Sequence, residues 1–61
     1  MDSMIPEQCR KNVRRVMHAM GADECTAYSM LMMTALLMDL YPEDDAVLEM
    51  TLQDCGVPVI A

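Results

Sequence analysis

Residues 25–38 read CTAYSMLMMTALLM, fourteen uncharged residues in a row that hold four of the chain's nine methionines. Wound at 3.6 residues per turn, their side chains point in every direction. The hydroxyl groups of Thr26, Tyr28, Ser29 and Thr34 do not gather on one side. A helix that is apolar all round has to be covered all round, so this segment is expected to be the core segment around which the rest is arranged.

The flanks of the run set its limits. Asp23 is a good N-cap and Glu24 an acid in the first turn, where the helix dipole favours one. Pro42 disfavours helical geometry in the residue before it, so the helix is predicted over 24–40. Upstream, Pro6 suits a first helical turn and Gly21 a helix end, which predicts a helix over 6–20. There Ile5, Cys9, Val13, Val16, Met17 and Met20 recur at helical spacing as one apolar stripe. Arg10, Lys11, Arg14, Arg15 and His18 fall opposite it. A link as short as 21–23 implies that the first two helices pack as a hairpin. Downstream, Pro42, Glu43, Asp44 and Asp45 together signal a helix start, and Val47, Leu48, Thr51, Leu52 and Cys55 give a third helix over 43–55, stopped by Gly56. Residues 57–61, VPVIA, are expected to lie extended as a strap over open methionines. The fold class is therefore all-α, with 1–61 a single small helical domain: three short helices as a small bundle, or a helical hairpin with a third helix, and an extended tail.

Size bears on partners. A core in a 61-residue chain rarely supplies more than about 3–5 kcal/mol without some staple. Apolar residues make up 54% of the chain but only 3% is aromatic, so the apolar surface is Met, Leu, Val and Ala. Three cysteines (Cys9, Cys25, Cys55) are an odd number with no CxxC pair, which argues against a disulfide framework and for a reduced, cytoplasmic setting. Acids at Asp2 and Glu7 oppose a signal peptide. A membrane span is disfavoured because fourteen helical residues rise about 21 Å against a hydrocarbon core of about 30 Å. The remaining staple is self-association. A homo-oligomer is expected, built on Met30, Met32, Met33, Leu36 and Leu37 of the central helix.

Catalytic chemistry has little to work with. His18 is the only histidine, and it lies opposite Cys9 on the same helix, so the two cannot form a nucleophile–base pair or share a metal through it. Glu43, Asp44, Asp45 and Glu49 lack the central glycine and ligand alternation of a calcium loop. The two glycines stand 35 positions apart, which leaves no phosphate-binding loop. A non-enzymatic protein with no cofactor and no metal is expected.

Charge is the second clue. The net charge of −6 is split: residues 1–22 hold all four bases against Asp2 and Glu7, and residues 23–61 hold eight acids and no base. Arg10 with Arg14 and Lys11 with Arg15 repel at helical spacing by about 0.2–0.5 kcal/mol per pair, a cost that a nearby anion would remove. Arg10, Lys11, Arg14 and Arg15 are therefore the candidate partner-binding residues. Three anions are candidates, nucleic acid phosphate, a protein partner's acidic patch and this chain's own third helix, and the plain alternative is a face that is solvated or paired with the chain's own acids. Nucleic acid is disfavoured by the net charge and by the lack of Phe, Trp and base-reading side chains after the turn. The expected role is a self-associating helical module acting as an adaptor or inhibitor, a class that includes small phage-made regulators. The alternative is a nucleic-acid-linked protein, through phosphate contact by the basic helix or DNA mimicry by Asp44, Asp45, Glu49 and Asp54.

Overall fold

A computed structural model describes residues 6–56 and contains three α-helices: α1 (Glu7–Met20), α2 (Glu24–Met38) and α3 (Asp45–Asp54). Each helix packs against both others. The all-α, three-helix fold is the one expected. Ile5 and the strap at 57–61 lie outside the described residues.

The hairpin between α1 and α2 is made by one glycine and one aspartate. Gly21 adopts the left-handed region (φ 68°, ψ 29°), and its N–H and that of Ala22 return to the Met17 carbonyl at 2.8 and 3.3 Å. This is the backbone geometry that a glycine reaches without a Cβ penalty. Two residues later Asp23 caps α2, its carboxylate accepting the Thr26 N–H at 2.8 Å.

The second connection moves the expected boundaries. α2 ends at Met38, two residues early, because Asp39 takes the left-handed conformation (φ 59°, ψ 41°). Its N–H bonds to the Leu36 carbonyl at 3.2 Å and the Leu40 N–H to Ala35 at 2.9 Å, the paired bonds of a Schellman ending. The chain then needs a further reversal to send α3 back, and a turn closed by Asp44 N–H on the Tyr41 carbonyl (3.0 Å) provides it. Pro42 fixes the second position of that turn instead of opening the helix. Asp44 becomes the N-cap, accepting the Ala46 N–H at 3.2 Å, so α3 starts at Asp45 where 43 was expected.

Twelve side chains are buried, four from each helix. They are Cys9, Asn12, Val13 and Val16 of α1, Ala27, Leu31, Thr34 and Ala35 of α2, and Val47, Leu48, Thr51 and Leu52 of α3. The two buried threonines donate to their own helices, Thr34 to the Met30 carbonyl (2.9 Å) and Thr51 to Val47 (2.7 Å). Asn12 is the third buried polar residue and the only one of the three that ties separate elements together. Its amide nitrogen donates to the Pro42 carbonyl at 3.0 Å, and its oxygen accepts from Gln8 at 3.1 Å. No buried side-chain nitrogen or oxygen among the described residues lacks a partner.

Within the single chain, α1 and α3 cover only one side of α2. Its inner face holds three small side chains and Leu31, while Met33, Leu36 and Leu37 point outward, 63, 77 and 85% exposed. The reason is geometric. Two short neighbours meet one side of a helix, and nothing else among the described residues reaches the other. No helix among them is long and apolar enough to cross a membrane.

Candidate functional site

Two surfaces emerge from these elements, one apolar on α2 and one basic on α1. The apolar one begins with the α2 residues that the inner face excludes. Met33, Leu36 and Leu37 lie about 180° from Leu31 around the helix, and Leu40 and Tyr41 extend the patch past its C-terminus. Of the five residues expected to carry self-association, Met33, Leu36 and Leu37 are exposed, and Met30 and Met32 are half-buried at the margins. Contiguous exposed apolar side chains of this size mark interaction surfaces more often than ordinary solvated surface.

The basic surface is the crest of α1. Arg10, Lys11, Arg14 and Arg15 are all exposed on the side of the helix opposite Cys9, Val13 and Val16. Grooves run along both flanks. The one toward α2, of about 620 Å³, is walled by Val13, Met17 and Tyr28 and rimmed by Arg10, Arg14, His18 and Glu24. The one toward α3, of about 440 Å³, is lined by Lys11, Asn12, Arg14 and Arg15 on one side and Asp45 and Leu48 on the other. The structure therefore brings one acid of α3, Asp45, to the edge of the basic crest. Glu49 and Asp54 are exposed on α3, and Asp44 is committed to capping.

The cysteines are free and lie in three different settings: Cys9 buried, Cys55 intermediate and Cys25 exposed. Burial, and secondarily the negative charge of Glu43, push the Cys9 thiol above its ordinary value. A thiol so placed stays protonated at neutral pH and is a poor nucleophile and ligand. His18 is exposed on the far side of α1. Among the described residues, no three of His, Cys, Asp and Glu are arranged to hold a metal ion.

Asn12 is the residue that the sequence concealed. It sits inside the run RKNVRR and reads as part of the basic face, yet it is 1% exposed. Its position held a signal: three residues after Cys9 and four before Val16, it falls on the apolar arc.

No family model matches the chain, and no curated protein or solved structure shows significant similarity to it.

Proposed function

We propose that this protein is a non-enzymatic helical binding module that self-associates through the outer face of α2 and engages an acidic protein surface through the crest of α1, as a cytoplasmic adaptor or inhibitor does. One observation carries the reading: Leu36 and Leu37, in the last turn of the most apolar helix, are 77 and 85% exposed. Water is an unfavourable environment for such a patch, and a protein partner is the simplest cover. The basic crest is a separate surface on a different helix, so both contacts fit one chain. The buried, protonated Cys9 and the distant His18 support a role without catalysis.

Sedimentation equilibrium at micromolar concentration tests the first half; an oligomer is expected, and a cooperatively folded 6.9 kDa monomer overturns it. Titration with poly-glutamate and with duplex DNA at low and high salt tests the second. Binding of the acidic polypeptide is expected, lost in Arg14→Glu/Arg15→Glu, while the fold changes by less than about 0.5 kcal/mol because both side chains face water. Duplex DNA bound in its place would favour phosphate contact by α1. The exposure of Asp45, Glu49 and Asp54 favours a second reading, mimicry of phosphate by α3. Its mark is competition with DNA for a DNA-binding protein, abolished when those acids become Lys.

A further inference from the structure

The outer face of α2 is graded by size along its length. Its N-terminal half presents Thr26 and Ser29, both exposed and small; its C-terminal half presents Leu36 and Leu37, with Leu40 and Tyr41 beyond, and Met33 lies between. From this gradient we infer that the occupant of the face is a second copy of this chain, packed with its α2 antiparallel about a two-fold axis beside Met33 and Leu36. The inference rests on the self-association proposed above and adds its symmetry.

Three arguments lead there. A two-fold contact requires a self-complementary surface. Antiparallel pairing sets the small half of each face against the large half of the other, Ser29 across from Leu37 and Leu40, so the protruding leucines enter the recesses. Parallel pairing sets small on small, leaving a gap, and leucine on leucine. The second argument is electrostatic. α2 carries Asp23 and Glu24 at one end, Asp39 at the other, and no base. Antiparallel packing in that register sets each Asp39 across from the uncharged residues 27–30 of the partner helix, whereas parallel packing joins Asp39 to Asp39 and the Asp23–Glu24 pair to its own copy. The third is area. At about 100 Å² for a large apolar side chain, the exposed parts of Met33, Leu36, Leu37, Leu40 and Tyr41 offer roughly 340 Å² per copy. Homodimer contacts are about 65% apolar, so this corresponds to roughly 1,050 Å² over both copies, just above the roughly 1,000 Å² that a specific interface needs. The dimer should accordingly dissociate on dilution.

The test reads the distance between the two copies of Cys25, the exposed thiol at the start of α2. A nitroxide label is placed there in Cys55→Ser protein, with the buried Cys9 left unreacted. In the antiparallel pair the labels lie on opposite sides of the axis, at least about 20 Å apart along the helices at 1.5 Å per residue, and a pulsed dipolar measurement should return about 20–35 Å. A dimer with labels within about 15 Å overturns the antiparallel pairing and leaves self-association standing. A dimer with labels beyond about 45 Å places the contact elsewhere and overturns both, as does a monomer by sedimentation. A second measurement avoids the label: in Cys25→Ser/Cys55→Ser protein, Ser29→Cys alone should not cross-link on oxidation, whereas its mixture with Leu37→Cys should give a covalent dimer. Cross-linking of Ser29→Cys to itself marks the parallel arrangement and overturns the inference.

Discussion

α1 and α2 are of nearly equal length, lie side by side, and each bury four residues, yet they sort their side chains by different rules. α1 sorts by polarity. Its arginines and lysine face water and its valines face inward, as burial of apolar area dictates. α2 has few polar groups to sort, and its C-terminal half divides by size: Thr34 and Ala35 go inward, and the large Met33, Leu36 and Leu37 go out. Small residues on the inner face let the backbones of α1 and α3 come close. The cost is that much of the apolar surface of α2 contributes nothing to the single chain's core. Polarity tells which face of a helix meets water, but size tells which face meets a crowded neighbour.

Paired substitutions on α2 test this division most severely. Leu31→Asp should abolish folding, since a buried unpaired charge costs several kcal/mol, comparable to the whole stability of so small a domain. Leu36→Asp, on the exposed side, should keep the helical circular dichroism and lose only the oligomer. Were Leu36→Asp to unfold the monomer as well, the outer face would belong to the core and the contrast would collapse.

The next effect concerns the exception on α1. Asn12→Ala removes the donor to the part-buried Pro42 carbonyl and should lower stability by about 1 kcal/mol in urea titration, the net worth of an ordinary hydrogen bond. A loss below about 0.5 kcal/mol would return Asn12 to the basic face, where its sequence neighbours put it.

At the end of α2, Asp39→Gly should stabilise the fold by about 1 kcal/mol, because glycine takes the left-handed conformation without strain and the change removes an acid from the negative end of the helix. For a domain of this size that raises the melting temperature by about 4–8 °C.

The smallest effect is at the opposite end. The Thr26 N–H bonded to the Asp23 carboxylate holds that carboxyl below its ordinary range. The folded value is the lower one, so the contribution is present above the unfolded carboxyl's value and is lost as pH falls through the folded one. Asp23→Asn keeps an acceptor that does not titrate. Thermal melts between about pH 2 and 5 should therefore show a shallower acid-side decline for the variant than for the parent. Equal slopes would mean that the cap is unimportant to α2.

These expectations also mark what the sequence makes legible. The stripe of α1 and that of α3 could be read directly, because charged residues outline them, and all four proposed basic contacts are on the surface as their spacing requires. The facing of α2 could not, because a run without charge has no periodic signal and the inner face is chosen by fit to α1 and α3. Helix ends shifted where an aspartate took a role usually given to glycine, at Asp39, and where Pro42 served a turn in place of a helix start. Asn12 was hidden by its neighbours Lys11 and Arg14, although its angular position placed it with Cys9 and Val16.

The bond from Asn12 to Pro42 also has a consequence in time. It spans 30 positions, whereas the caps of all three helices and the bonds closing both connections join residues at most five apart. Local contacts of that kind form early and at little cost in loop entropy, and a domain built mainly from them folds quickly. The Asn12 bond closes the largest loop among the described hydrogen bonds, so it should form after the folding barrier has been crossed. Its removal would then leave the folding rate nearly unchanged and speed unfolding by the whole of the stability lost. Asn12 therefore acts as a latch, setting how long the folded chain lasts before it opens and having little influence on how fast it forms.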